Sequence, residues 1–339
     1  PQSTARPTCW NAATRPVAGE DHPNWNRSRC SQSDDENRDS CSAAAGIPVT
    51  VTRRRSPALG LLLGAASQAD GDGRWHDREV GESADRAEPA ASVGWVTDVG
   101  PRRVNEDRAS ATVSDEDGSW VIAVADGLGG HTRGDEAAQA AIERLPRRIA
   151  NADEMAVAFG EANERVLALT GPEDWQRRLP LFMFPMSTLT VAAWTPEGGL
   201  LIGWMGDTLP FVATAGPDGF TGFCCGRPHR QPGGSIDICL GMPPMDAEAG
   251  AGFVEVEIVG ESGEGSRPDA VLLASDGAWE PFVYRHGADW LSDDTATGGI
   301  GAACGPGAAT AEELANHVLA EALHLGLNDN ATVAAALWR

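Results

Sequence analysis

The chain has no lysine. All 26 of its basic residues are arginine, set against 49 aspartates and glutamates, for a formal net charge of −23. With a single tyrosine, this composition marks biased coding and says nothing of function. The acidity is uneven, net −2 up to Ala90 and net −21 after it. A field of that sign repels phosphate backbones and anionic lipid, so nucleic acid and membrane surfaces are poor partners for the second part. It suits a protein that gathers divalent cations. Paired cysteine spacing is also missing. The seven cysteines (Cys9, Cys30, Cys41, Cys224, Cys225, Cys239, Cys304) are odd in number and form no metal-knuckle or disulfide pattern, which points to a reducing, cytoplasmic setting.

Organisation changes near residue 90. Segments such as SQSDDENRDSCSAAAG and GDGRWHDREVGESADRAEPA carry neither helical nor strand period, so residues 1–90 read as a low-order extension. Within it, VTRRRSPALGLLLGAASQA (residues 51–69) has the arginines, short apolar run and small residues of a secretory signal, but at an internal position. Its apolar run is shorter than the roughly 20 residues of a membrane span. It is read as part of an inert extension. Residues 91–339 form one ordered domain, expected to be monomeric.

In that domain WVIAVAD (Trp120–Asp126), STLTVAAW (Ser187–Trp194), LLIGWMGD (Leu200–Asp207), FVEVEIV (Phe253–Val259), AVLLASD (Ala270–Asp276) and ATVAAALW (Ala331–Trp338) read as strands. Most are continuous apolar runs, the mark of burial on both faces; FVEVEIV alternates, with one wet face. Gly134–Ala150 carries small and apolar residues at helical spacing, and Thr310 with Glu313 forms a capping box ahead of a helix that Gly326 stops. The order lacks a regular β-α-β-α alternation. It predicts an α+β fold of packed antiparallel sheets covered by helices.

Four aspartates then stand at strand rims. Asp126, Asp207 and Asp276 each end an apolar run, and Asp329 precedes one. Taken singly, Asp-Gly and Asp-Asn are ordinary turn formers. Four carboxylates converging at the edge of a core would repel and raise one another's pKa, and so demand a cation. Oxygen ligands without histidine or cysteine favour magnesium, manganese or calcium.

These pieces resemble a known family. GPRRVNED (Gly100–Asp107), VADGLGGHTRGDEAA (Val124–Ala138), STLTVAA (Ser187–Ala193), GDT (Gly206–Thr208), LLASDGAWE (Leu272–Glu280) and DNATV (Asp329–Val333) are similar, in order, to the motifs of the metal-dependent serine/threonine protein phosphatases of type 2C, in their short bacterial form. Each piece alone is weak; the series is specific. The resemblance spans residues 94–339. It implies a central sandwich of two antiparallel sheets flanked by helices, with two manganese or magnesium ions at one edge.

Carried over by position, the resemblance implies that Asp126 bridges both ions and that Gly127 offers its carbonyl to one. Asp276 and Asp329 would hold the second ion, and Glu106 and Asp107 would bind through coordinated waters. Asp207 would join Asp276 at a third, weaker ion. Arg102 would grip the substrate phosphate with its planar fork, and His131 is a candidate general acid. The implied activity is hydrolysis of phosphoserine and phosphothreonine in proteins by a water activated between two divalent metals. The substrates would be those of a serine/threonine kinase.

Some stretches depart from the pattern. Met186-Ser187-Thr188 stands where the family has Gly-Thr-Thr, Leu209-Pro210 follows Gly206-Asp207-Thr208 where an arginine is usual, and Thr221–Met242 replaces an Asp-His stretch. Cys224, Cys225 and His229 there have poor metal spacing and read as loop or core thiols. Phe282, Tyr284 and Trp290 read as packing ahead of substrate contacts. The departures leave a second function open, a weak pseudophosphatase that binds phosphoproteins, and a third, a module whose calcium only supports structure.

Overall fold

The computed structural model describes residues 38–40, 49–53, 91–171, 180–216, 219–231, 234–242, 254–261, 268–284, 299–305 and 307–338. Twelve strands are described: β1 (Arg38–Ser40), β2 (Val49–Arg53), β3 (Ser92–Asp98), β4 (Asp107–Val113), β5 (Trp120–Asp126), β6 (Leu189–Thr195), β7 (Gly199–Met205), β8 (Leu209–Gly216), β9 (Gly219–Cys224), β10 (Val254–Glu261), β11 (Ala270–Ala274) and β12 (Ala331–Leu337). The longer described helices are α1 (Gly134–Ile142), α2 (Ala152–Leu167), α3 (Asp276–Tyr284) and α4 (Ala311–Leu325).

The strands form two sheets, ordered β1-β2-β10-β7-β6-β5-β4 and β3-β12-β11-β8-β9. Every described pairing is antiparallel except β2 on β10. Side-chain alternation along β5 shows how the layers arise. Trp120, Ile122 and Val124 join Ile202, Trp204, Leu273, Ala334 and Trp338 in the core between the sheets. Val121, Ala123 and Ala125 instead pack with α1 and α2. On the far side Leu272, Val333 and Ala335 pack beneath α3 and α4. The fold is therefore the expected α-β-β-α sandwich, and the apolar strands are continuous because both of their faces are covered.

Local chemistry explains where elements stop. Thr310 Oγ1 accepts from the Glu313 amide at 3.1 Å, while Glu313 Oε2 reaches back to the Ala309 amide at 2.7 Å, and Gly326 ends α4 at φ 104°. The helix read over Gly134–Ala150 ends at Ile142. The sequence continues Glu143-Arg144-Leu145-Pro146, and a proline disfavours helical backbone in the residue before it and supplies no amide. Strands β3, β4, β8 and β9 were not foreseen, because β3, β4 and β9 mix polar and small side chains without an apolar run and Pro210 interrupts the apolar run of β8. In the expected low-order extension, β2 runs parallel to β10 and β1 antiparallel to β2. Its sequence VTVTR alternates β-branched residues, which favours an added strand. Most of the signal-like segment lies outside the described residues, as does Trp290. Among the described residues no helix is long and apolar enough to cross a membrane.

Candidate metal centre

Strand ends at one edge of the sandwich deliver the acidic residues. Asp126 closes β5 and Asp107 opens β4, and the register sets the two directly opposite each other. Asp207 follows β7, Asp276 follows β11 at the start of α3, and Asp329 precedes β12. One carboxylate oxygen from each of Asp126, Asp207 and Asp276 lies within 4.8 Å of the others. Three of the four predicted rim aspartates therefore converge. Asp329 is half-buried beside them, and its Oδ2 accepts from Arg102 Nη2 at 2.5 Å.

The electrostatics of this group are unfavourable for the chain alone. Burial, followed by the carboxylates of Asp107, Asp276, Asp207 and Asp329, raises the Asp126 pKa well above the usual carboxylate range. Burial, then Asp207 and Glu280, does the same to Asp276. Asp107, 2% exposed, is pushed up to about 6 by burial, against hydrogen bonds from Thr332 and Ser275 that favour its anion. Burial also raises Glu106, helped by Asp135 and Asp329 and opposed by Arg102. Asp107 Oδ1, Asp207 Oδ1 and Asp276 Oδ1 are buried with no hydrogen-bond partner. Unpaired buried carboxylate oxygens are costly. A hard divalent cation satisfies several at once, so this all-oxygen donor set fits such an ion.

Backbone and hydroxyl groups hold the carboxylates in place. The Asp126 carbonyl accepts from Ser187 Oγ at 3.0 Å and from the Thr188 amide at 2.8 Å, while the Asp126 amide donates to Thr188 Oγ1 at 3.0 Å. Thr188 Oγ1 in turn contacts Thr208 Oγ1 at 2.6 Å. The altered Met186-Ser187-Thr188 stretch thus still fixes Asp126. Ser275 Oγ donates to Asp107 Oδ2 at 2.8 Å and accepts from the Thr332 amide at 2.9 Å. Asn330 accepts from the Glu106 amide and donates to the Val99 and Val104 carbonyls, which locks the segment carrying Arg102 and Glu106 onto β12. Gly127 lies against the start of α1, where a Cβ would come within 2.1 Å of the Gly134 carbonyl oxygen. Only glycine allows that approach.

Other predicted residues border a cleft of about 430 Å³ lined by Arg102, Asp276, Gly277, Glu280, Pro281, Asn328 and Asp329. Arg102 gives one of its five N–H donors to Asp329, which leaves most of the fork uncommitted. The Glu106 carboxylate sits by Gly134 at the N-terminus of α1, whose dipole favours an anion there. His131 Nδ1 lies 3.2 Å from the Phe184 carbonyl. A carbonyl only accepts, so Nδ1 carries the proton. His229 accepts from the Gly206 amide at 3.0 Å and Cys224 donates to the Gly226 carbonyl. Neither joins a metal-type group among the described residues, and Phe282 is buried in the core beneath α3.

Sequence reading missed Arg230. Its guanidinium donates from Nε to Asp207 Oδ2 at 2.5 Å, from Nη2 to Asp276 Oδ2 at 2.7 Å and from Nη1 to Glu280. The Arg230 group also lies over the Trp279 ring, 5.6 Å from its centroid. Asp276 and Glu280 are four apart on α3, a like-charged pair on one helix face that called for a cation nearby. Nothing in the spacing identified Arg230, 23 residues beyond Asp207, as that cation.

Comparison with known proteins agrees with this geometry. The family model for protein phosphatase 2C matches residues 102–221, a span that holds Arg102, Glu106, Asp107, Asp126 and Asp207. No curated protein matches the chain. Among solved structures, the serine/threonine phosphatase of S. agalactiae is 18% identical over 74% of this chain and 100% of its own, with a TM-score of 0.54. The PPM Ser-Thr phosphatase MsPP of Mycobacterium smegmatis is 22% identical over 75% of this chain and 100% of its own, TM-score 0.51. The Mycobacterium tuberculosis serine/threonine phosphatase PstP/Ppp is 20% identical over 74% and 99%, TM-score 0.51. These likenesses establish the fold, and the match over residues 102–221 makes that stretch, about a third of the chain, similar in sequence to protein phosphatase 2C, with Asp276 brought to the same rim from outside the matched span.

Proposed function

We propose that the chain is a metal-dependent phosphatase acting on phosphoserine and phosphothreonine in proteins. The observation that carries this reading is the convergence of Asp126, Asp207 and Asp276 with buried, unpartnered oxygens on Asp207 and Asp276 and on neighbouring Asp107. Asp126, Gly127, Asp276 and Asp329 would hold two manganese or magnesium ions, with Glu106 and Asp107 behind them. When bound, such ions supply a water of lowered proton affinity and positive charge for the phosphoryl oxygens.

The chain's own groups account for the rest. Arg102, at the mouth of the cleft, orients the phosphate through its uncommitted N–H donors. The hydroxyls of Ser187 and Thr188 keep Asp126 at its rim position, and preorganisation of this kind is most of what phosphoryl transfer asks of a protein. His131, with its Nδ1–H committed to the Phe184 carbonyl, would act from Nε2 as the imidazolium, giving that second proton to the departing alkoxide and regaining it from solvent. His131→Asn should then slow phosphopeptide hydrolysis more than p-nitrophenyl phosphate hydrolysis, whose leaving group needs no proton; equal slowing of both rules that role out. No metal-type carboxylate is missing, so a pseudophosphatase is not favoured.

The primary test is p-nitrophenyl phosphate hydrolysis by the full chain with and without manganese, beside Asp126→Asn. The expected result is manganese-dependent turnover that falls roughly 10²–10³-fold in the variant, the scale of removing one preorganised electrostatic group. Turnover that ignores both manganese and the substitution would refute the reading.

A further inference from the structure

Arg230 is a strongly buried cation among the carboxylates of the site, whereas Arg102, the other arginine there, is exposed. Its side chain is 11% exposed, against 2% for Asp207, 21% for Asp276 and 17% for Glu280. All three nitrogen positions of its fork are used, one per carboxylate. The loop that carries it is clipped to the end of β7 by two hydrogen bonds between the same pair of residues. The His229 amide donates to the Gly206 carbonyl at 2.9 Å, and the Gly206 amide donates to His229 Nδ1 at 3.0 Å. Gly206, at φ 97°, adopts the left-handed backbone that this turn requires. Arg230 follows immediately and is delivered onto Asp207. Trp279 supports the same arrangement from the other side, because its Nε1 donates to the Asp207 carbonyl at 2.9 Å and its ring lies under the guanidinium.

The resemblance implies that Asp207 and Asp276 share a third, weaker metal ion. In this chain one oxygen of each is already held by one guanidinium. We propose that Arg230 is the resident cation of that position, so the centre takes two divalent ions and no third. The inference rests on the binuclear reading above and sharpens it. A guanidinium is fixed by its own stem and cannot be exchanged or diluted away. It anchors Asp276 through Oδ2, leaves Asp276 Oδ1 for an ion, and repels any further cation that approaches Asp207. Arg230 is on this account a positioning residue, and its removal changes the number of ions bound, which a purely structural arginine would not do.

The test counts manganese on the full chain by titration calorimetry and equilibrium dialysis, without reference to activity. The unsubstituted chain should bind two ions. Arg230→Gln, which removes the charge, should bind a third at least tenfold more weakly than the first two, and its melting temperature should rise in a second, higher-manganese phase that the unsubstituted chain lacks. Arg230→Lys retains a positive charge, with less risk to the fold, and should stay at two. A third ion in the unsubstituted chain or in Arg230→Lys overturns the inference while leaving the binuclear reading intact, as does a count of two in folded Arg230→Gln. No manganese on any of the proteins sinks the binuclear reading, and the inference falls with it.

Discussion

Two carboxylate groups share one rim of the sandwich, and the chain treats them differently. Asp207, Asp276 and Glu280 surround Arg230, which gives each a charge-assisted hydrogen bond. Asp107 and Asp126 face each other across the β4–β5 ladder, and among the described residues no arginine side chain pairs with either carboxylate. Like charges directly opposite in an antiparallel pair are destabilising. One half of the rim is partly neutralised from within, one guanidinium among three carboxylates, and the other half is left in debt to an external cation. The unneutralised half is where a divalent ion gains most by binding.

That contrast can be broken from either side. The largest expected effect is on catalysis, where Asp126→Asn should cost roughly 10²–10³-fold in manganese-dependent turnover. The same variant should melt higher than the unsubstituted chain in chelator at pH 7, since one of two opposed charges has gone; a lower melting point would mean that the pair is not strained. On the neutralised side, Arg230→Gln should lower the unfolding free energy by roughly 3–5 kcal/mol in urea without metal, the usual cost of removing one partner from a buried ion pair. A loss below about 1 kcal/mol, the range of exposed pairs, would show that the Arg230 cluster is solvated.

The pH response sharpens the comparison further. Asp107, Asp126 and Asp276 all have folded-state pKa values above their unfolded ones. Their acid forms therefore stabilise the metal-free fold fully below the ordinary carboxylate range, and that contribution is lost as pH rises through about 6 for Asp107. In chelator, thermal stability should fall between pH 4.5 and 7.5, and Asp107→Asn should flatten part of the fall. Manganese, which binds the ionised forms, should reduce or reverse it. A metal-free melting point that climbs over this window would contradict the raised pKa values. The smallest effect expected is for Asn330→Ala. It leaves the Glu106 amide and the Val99 and Val104 carbonyls short of a partner and should cost roughly 1–3 kcal/mol with or without metal.

Much of the fold was legible because it rests on local pattern. The apolar runs of β5, β6, β7, β11 and β12 match the observed strands to within two or three residues at each end. The Thr310 cap needed only neighbours in sequence. Strands β8 and β9 escaped, since their pairing with β11 and with each other, more than an apolar run, makes them strands. In the site, Asp126, Asp207 and Asp276 could be read as rim carboxylates from the runs they end. Asp329 was read as one of the same kind, yet in the structure it pairs with Arg102.

The sequence by itself determined which residues are apolar enough to be covered on both faces, where acidic residues must surface at the ends of those strands, and hence that a cation is required. Tertiary structure alone decided which carboxylates meet and which receive a cation from the chain. Asp107 lies opposite Asp126 through strand register, and Arg230 reaches Asp207 because a loop of this chain is clipped to Gly206 by His229. The physical reason is range. Periodicity and capping act over a few residues, whereas a buried charge is satisfied by whatever the fold brings within about 3 Å of it, from any distance along the chain.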